Sequence, residues 1–150
     1  MQLWDTFGEE RFFSISKLVC QNADIYVFVY DITQKDSLEK TKKFIEHIKN
    51  NFKSDNLFLL GNKNDLNEEK KITKEEVQKF QIENDIKMFR EISAKNDSQE
   101  NLKNILKVFI KNSNIVYQEE NNSNFKLERI PEIKNVGFFE WCCDEVMSCC

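Results

Sequence analysis

Apolar and polar residues fall into alternating blocks along the first two thirds of the chain. Residues 25–30 (IYVFVY) and 57–60 (LFLL) are short, continuous apolar runs, a pattern typical of strands that are covered on both faces. Residues 87–92 form a weaker run of the same kind, followed by a serine. The pattern therefore predicts three strands within the first hundred residues.

A helix is predicted after each of these strands. Ser37 is expected to cap the first helix, in which apolar residues recur at three- and four-residue spacing. Residues 73–76 (TKEE) form a capping box that opens the second helix, with Val77 and Phe80 facing inward. Ser98 is expected to cap the third helix. The apolar stripe of that helix comprises Leu102, Ile105, Leu106, Phe109 and Ile110.

Strands that alternate with helices imply right-handed crossovers and parallel pairing. We therefore predict an α/β fold in which a mostly parallel sheet is flanked by helices. Ligands of such folds bind at the carboxyl ends of the strands. Three such ends are visible in the sequence, at Asp31, in the loop of Asn62 and in the loop of Ser93.

The last quarter of the chain has a different composition. From about residue 115 the periodicity is replaced by an Asn- and Glu-rich stretch that holds the only proline, Pro131. We predict one folded domain over residues 1–113 and a flexible tail over residues 114–150. The net charge of -4 and the lack of a basic face with interleaved aromatics argue against a nucleic-acid partner. Because the first residues lack the features of a signal peptide, we expect a cytoplasmic chain.

The tetrapeptide Asn62-Lys63-Asn64-Asp65 directly follows the second apolar run. A carboxylate fixed there can accept two parallel hydrogen bonds from N1 and N2 of guanine, whereas adenine has no matching pair of donors. Leaving such a buried carboxylate unpaired is costly, so discrimination of about a hundredfold or more is physically available. The alternative interpretation is a solvated, charged turn.

A second loop favours the binding interpretation. Ser93, Ala94 and Lys95 follow the next strand, where the backbone N–H of Ala94 could meet the guanine O6. The aliphatic stems of Lys63 and Lys95 could then cover the two faces of the base. Two loops that converge on one base are much less readily explained by chance than one loop alone.

A third motif, WDTFGEERF at residues 4–12, resembles the WDTAGQERF segment of the Rab family of Ras-like small GTPases. The resemblance covers residues 1 to about 113, with the motifs in family order. It implies a Ras-like P-loop GTPase fold that binds GTP or GDP together with Mg²⁺. It also implies that Asp5 meets the magnesium ion through water and that the N–H of Gly8 senses the γ-phosphate.

Two positions of this motif differ from the family pattern. Glu9 stands where the family has its catalytic glutamine, and an ionised carboxylate cannot donate a hydrogen bond and would face the phosphate oxygens. Phe7 replaces a tightly packed family alanine, which costs about 1–3 kcal/mol or forces the loop aside. We therefore expect GTP hydrolysis to be impaired.

The segments that bind the phosphates in the family have no counterpart in this sequence. The sequence contains no G-x-x-x-x-G-K-[ST] loop, whose N–H groups and lysine hold the phosphates in the family, and no threonine-bearing first switch before Trp4. The family's first two strands also have no counterpart, and its sheet places the first strand between the third and the fourth. We therefore expect a central gap with unpaired edges, and weak or absent nucleotide binding by these residues alone.

The chain ends in Cys149 and Cys150. Rab proteins carry geranylgeranyl groups on such a pair, and two lipid chains give stable membrane anchoring where one is marginal. With Cys142 and Cys143 the pair would alternatively offer four thiols to zinc, although the spacing is not the usual C-x₂-C. The lipid interpretation predicts a peripheral protein on the cytosolic face of intracellular membranes.

Two hypotheses for the function follow. The first is a prenylated GTP-binding switch in vesicle traffic, whose partners are Rab effectors and regulators and the prenylation and membrane-extraction machinery. Trp4 and Phe12 match family positions that contact effectors, unless they simply pack against the second switch. The second hypothesis is a nucleotide-independent, prenylated interaction module or a non-functional fragment of a Rab.

Overall fold

The computed structural model describes residues 3–7, 20–52, 54–115 and 135–140, and for residues 4–7 and 135–140 it defines the course of the backbone. The strands and helices alternate as predicted. They are β1 (Leu3–Phe7), β2 (Ala23–Asp31), α1 (Ser37–Phe52), β3 (Leu57–Asn62), α2 (Lys74–Glu83), β4 (Met88–Glu91), α3 (Gln99–Lys111) and β5 (Asn135–Glu140). A 3₁₀ helix, Asn64–Glu69, follows β3. Every described strand pair is parallel, so the predicted α/β fold, a parallel sheet flanked by helices, is confirmed.

The strand order in the sheet is β1-β5-β2-β3-β4. The tail segment β5 thus lies between β1 and β2, and Phe138 is in register with Asp5 on one side and with Val27 on the other. The sequence analysis expected a central gap here, and that expectation was wrong because residues 135–140 occupy the position. No strand was predicted in the tail, but β5 lies there. The boundary between the domain and the tail near residue 113 stays a prediction.

The two faces of the sheet are covered by different helices. Alternate residues of β2 and β3 belong to a core with α1 and α2, which includes Tyr26, Phe28, Leu57, Leu59, Ile45 and Val77. The residues between them belong to a second core with α3. There the rings of Phe58 and Phe109 stack with centroids 4.6 Å apart. This two-sided burial explains why both strands read as continuous apolar runs.

Two of the three predicted helix caps are confirmed. The Thr73 hydroxyl accepts from Glu76 N at 3.2 Å, and the Glu76 carboxylate accepts from Thr73 N at 2.8 Å. Ser98 accepts from Asn101 N at 3.1 Å. The prediction for Ser37 was wrong, because its buried hydroxyl instead donates 2.7 Å bonds to the carbonyl oxygens of Asp31 and Gln34. The same two carbonyl oxygens also accept from Gln34 N and Ser37 N in the turn after β2.

Candidate nucleotide site

The loops after β3 and β4 lie side by side at the carboxyl edge of the sheet. Ile92 N donates to Gly61 O at 2.8 Å, and Asn64 N donates to Ile92 O at 2.9 Å. These bonds continue the pairing of β3 with β4 beyond the last registered residues. The backbone itself therefore brings the two sequence motifs together.

Asn62 joins the two loops through its side chain. It is buried, and its Oδ1 accepts from Lys63 N at 2.8 Å and from Ala94 N at 3.0 Å. The backbone N–H of Ala94, which was predicted to meet the guanine O6, donates to Asn62 in this structure. A base that enters the site has to share this donor or displace Asn62 from it.

Asp65 and Ser93 form the second bridge. The Ser93 hydroxyl donates to Asp65 Oδ1 at 2.6 Å and accepts from Asn96 N at 3.0 Å. Ser93 is buried, but Asp65 is exposed, because it lies in the first turn of the 3₁₀ helix that leaves the sheet. The assumption of a buried carboxylate was therefore wrong.

The ionisation of Asp65 is nevertheless favoured. The hydrogen bond from Ser93 is the main cause that holds the pKa of the Asp65 carboxyl below its ordinary value, and the positive charges of Lys95 and Lys63 act in the same direction. At neutral pH the side chain is an anion that only accepts hydrogen bonds. It therefore suits a ligand that presents two adjacent donors.

Lys63 connects the site to the end of β2. Its backbone has the left-handed conformation, with φ 70°, and its ammonium group lies 2.9 Å from the carboxylate of Asp31. Asp31 Oδ1 also accepts from the backbone N and the hydroxyl of Thr33, at 2.8 and 2.7 Å. Burial raises the pKa of Asp31, but the bonds from Thr33 and Lys63 outweigh it and leave that pKa below its ordinary value. The ammonium group of Lys63 is thus held at the end of β2 by its contact with Asp31.

Gly61 allows the chain to pass close to a buried ring. A Cβ atom at this position would lie 2.6 Å from Oη of Tyr30 and 2.7 Å from its Cζ, which is closer than real Cβ contacts permit. Sequence analysis did not single out this requirement. The signal was the glycine at the end of an otherwise large, apolar strand.

Asp97 is a second residue that the sequence analysis missed. Its Oδ2 accepts from Ser93 N at 2.8 Å, and its Oδ1 accepts from Asn101 Nδ2 at 3.0 Å. These bonds tie the Ser93 loop to the first turn of α3. The available signal was an aspartate four residues after the serine and directly before the cap of a helix.

The phosphate side of the predicted site is only partly described. Asp5 lies in β1, whereas Gly8, Glu9, Cys149 and Cys150 lie outside the described residues. Across the described ranges, no group of three or more His, Cys, Asp or Glu side chains is placed to hold a metal ion. The contact of Asp5 with Mg²⁺ through water stays a prediction.

Most of the chain matches one known protein family. The model of the Ras family matches residues 1–115. The chain belongs to the Ras family. This agrees with the parallel sheet and with the position of both loops at its carboxyl edge.

Rab proteins are among the relatives of this Ras-family chain. The GTP-binding protein YPT52 of Saccharomyces cerevisiae is 37% identical over 116 residues, which cover 63% of this chain and 49% of that protein. Ras-related protein Rab-17 of Mus musculus is 37% identical over 97 residues, which cover 63% of this chain and 45% of that protein. Ras-related protein Rab-8B of Homo sapiens is 38% identical over 99 residues, which cover 65% of this chain and 47% of that protein. The chain is thus a Rab-like member that spans about half the length of the curated relatives it matches.

None of the helices in the described ranges combines the length and the apolar character needed to cross a bilayer.

Proposed function

We propose that this Rab-like chain binds the base of a guanine nucleotide at the loops that follow β3 and β4. The observation that carries the proposal is the pair of cross-loop bonds, Ser93 to Asp65 and Ala94 to Asn62. Two loops fixed to each other in this way keep an anionic acceptor and a backbone donor within reach of one ligand. Such preorganisation lowers the cost of binding.

Each residue has a proposed role. Asp65 accepts from N1 and N2 of guanine, and Asn62 and Ala94 offer an amide and a backbone N–H to the other polar edge of the ring. The stems of Lys63 and Lys95 cover the two faces of the base. Because Asp65 is exposed, discrimination against adenine rests on the match of donors to acceptors more than on burial.

The nucleotide cycle belongs to the same proposal. The relatives are a GTP-binding protein and Ras-related proteins. We infer that this chain acts as a switch in vesicle traffic with GTP or GDP as ligand. Mg²⁺ bound with the nucleotide would neutralise phosphate charge, with Asp5 as the residue that meets it through water and Gly8 at the γ-phosphate. Glu9 in place of glutamine slows hydrolysis, because a carboxylate does not donate a hydrogen bond to water.

Membrane attachment is proposed through Cys149 and Cys150. Geranylgeranyl groups on both thiols would hold the chain on the cytosolic face of an intracellular membrane, since two lipid chains exceed the marginal affinity of one. Rab effectors, regulators and the prenylation machinery are the corresponding partners. Labelling with a geranylgeranyl donor in a cell extract tests this, with loss of label expected in the chain that carries both Cys149→Ser and Cys150→Ser.

A nucleotide-independent interaction module is the second candidate. The placement of β5 between β1 and β2 favours it, because the sheet is continuous without a strand that carries a phosphate-binding loop. In this candidate the family surfaces engage partners while the base site stays empty. The two candidates differ in whether any guanine nucleotide binds at all.

Competition among bases tests the proposed function. We expect the full chain to bind labelled GDP weakly, to prefer guanine over adenine, and to shift its preference toward xanthine in the Asp65→Asn variant, because an amide can donate to the extra carbonyl oxygen. The control is Asp55→Asn, which changes the same charge at an exposed residue before β3 and should leave the preference unchanged. An unaltered guanine-to-xanthine ratio in Asp65→Asn would contradict the assignment.

A further inference from the structure

The tail segment β5 makes backbone pairs with both of its neighbours. Five of its residues are in register with β1, from Val136 beside Leu3 to Glu140 beside Phe7. On the other side β5 pairs along β2, from Asn135 beside Ala23 to Glu140 beside Val29. In the described sheet β1 is an end strand that borders β5 alone. Removing β5 would therefore separate β1 from the rest of the sheet and leave β2 with an unpaired edge.

The sequence of β5 suits this central position. Its register neighbours on β2 alternate between the two cores: Val27, beside Phe138, belongs to the core with α3, and Phe28, beside Phe139, belongs to the core with α1 and α2. A central parallel strand is covered on both faces and is apolar at consecutive positions. The run NVGFFE has this character between a polar residue at each end.

The connection to the rest of the chain does not by itself enforce the pairing. Residues 116–134 separate the last described residue after α3 from the first residue of β5. A connection of this length can span far more than the width of a sheet, and further lengthening changes the closure entropy only slightly. The affinity of β5 for its position therefore has to come from the ladder and from the apolar surface that it covers.

We propose that the space between β1 and β2 is a binding site for an extended, apolar peptide strand in parallel orientation, and that residues 135–140 are its intramolecular ligand. Main-chain hydrogen bonds supply affinity in such strand addition, and alternate side chains supply specificity. The bound strand also removes two exposed edges that would otherwise pair with other chains. The site holds one strand at a time, so any competing strand has to displace residues 135–140.

This arrangement fixes where the end of the chain leaves the domain. Because β5 is parallel to β2 and β3, Glu140 lies at the same edge of the sheet as Asp31 and Asn62. The residues after Glu140 can extend at most about 35 Å from that edge.

Hydrogen exchange of the full chain tests the proposal without any substitution. We expect the amides of residues 135–140 to exchange as slowly as those of β2, because both sets lie inside one ladder. Exchange of residues 135–140 at the rate of an unstructured peptide would overturn the proposal.

A pair of proline variants tests whether β5 itself protects β2 from hydrogen exchange. Gly137→Pro removes a donor and imposes a conformation that a central strand does not tolerate, whereas Asn122→Pro makes the same change in the connection before β5. We expect exchange in residues 23–31 to rise about tenfold or more in Gly137→Pro and to stay at the wild-type rate in Asn122→Pro. Exchange in α2 serves as the measure of global unfolding and should be unchanged in both variants. Equal exchange of β2 in both variants would overturn the proposal.

A peptide in solution tests whether the position is a binding site. The synthetic peptide KNVGFFEW, residues 134–141, added to the Gly137→Pro chain should restore slow exchange in β2, and a scrambled peptide of the same composition should not. Failure of the peptide to protect β2, or equal protection by the scrambled peptide, would overturn the proposal. If Gly137→Pro also raises exchange in α2, the variant has unfolded globally. The exchange rate of residues 135–140 in the unsubstituted chain then decides whether the proposal holds.

Discussion

The two halves of the candidate nucleotide site are built in different ways. The base side, at the ends of β3 and β4, is connected by side-chain and backbone bonds between residues that lie about thirty positions apart, such as Ser93 with Asp65 and Ala94 with Asn62. The predicted phosphate side includes Asp5 of β1, and β1 is held in the sheet by pairing with β5 from the far end of the chain. The phosphate side also has no glycine-rich loop in the 150 residues.

The residues proposed for base recognition and those predicted for phosphate contact thus rest on different parts of the sheet. The loops of the base side depend on β2, β3, β4 and the helices that cover them, all of which are close in sequence. The phosphate side depends on whichever strand occupies the space between β1 and β2. Damage to the core beneath the base side should therefore be costly for folding, whereas changes within the loops should act mainly on the ligand.

The largest effect is expected where the last turn of α3 packs on the start of β3. Phe109 is fully buried and stacks on Phe58, so Phe109→Ala should lower the free energy of unfolding by about 3–5 kcal/mol. Urea unfolding followed by circular dichroism measures this. Ile82→Ala, at a residue that is 78% exposed on α2, is the control and should change stability by less than about 0.5 kcal/mol. A small loss in Phe109→Ala would mean that the contact of α3 with β3 contributes little to the stability of the sheet.

Substitution of Asp31 should give the next largest loss in the free energy of unfolding, and this loss should depend on pH. Asp31→Asn weakens the contacts with Lys63 and Thr33 and should cost about 1.5–3 kcal/mol at neutral pH. Because the pKa of Asp31 is lower in the folded than in the unfolded chain, its contribution is present above the unfolded pKa and is lost as the pH falls through the folded pKa.

Unfolding in urea between about pH 2 and pH 6 checks the sign of this effect. The unsubstituted chain should lose stability toward acid more steeply than Asp31→Asn. A part of the slope should remain, since the pKa of Asp65 is lowered as well. Parallel profiles for the two chains would show that the ion pair with Lys63 contributes nothing to folding.

Gly61→Ala probes the close approach between β3 and Tyr30. The added Cβ would lie 2.6 Å from Oη of Tyr30, and we expect a loss of about 1–3 kcal/mol from overpacking. Tyr30→Phe alone should be nearly neutral or stabilising, because this buried hydroxyl has no hydrogen-bond partner among the described residues. The double variant should recover part of the loss. An additive result, with no recovery, would mean that the hydroxyl is not the obstacle.

The smallest effect on stability is expected for Ser93→Ala. Loss of the hydroxyl should cost about 0.5–1.5 kcal/mol and should raise the pKa of Asp65 toward its ordinary value, since the bond from Ser93 is the main cause of the lowering. Titration of the Asp65 carboxyl by NMR checks the direction. Ser98→Ala removes a helix cap of similar energy and should leave the pKa of Asp65 unchanged. A shift in both variants would point to a general loosening of the loop.

Much of the fold could be predicted because its signals are local. The strand runs, the capping box at Thr73 and the cap at Ser98 each lie within a few residues of the element they start. The two loops of the candidate site could be paired in advance because parallel strands end at one edge. The exposure of Asp65 could not, because it depends on the 3₁₀ helix that carries the residue away from the sheet.

The position of β5 could not be predicted from the local sequence pattern. Its six residues contain a glycine, which weakens a strand signal, and their partners on β1 are more than a hundred positions away. The role of Ser37 was missed for a related reason. A serine before a helix has the same sequence signature whether it caps the helix or donates back to the preceding loop.

The most direct test of base recognition is an NMR titration of the full chain with GMP, with AMP as the matched ligand. We predict saturable shifts of the backbone amides of Ala94 and Lys95 and of the side-chain amide of Asn62 with GMP, and smaller or no shifts with AMP. Equal shifts with both nucleotides, or shifts that leave these three residues unaffected, would contradict the account.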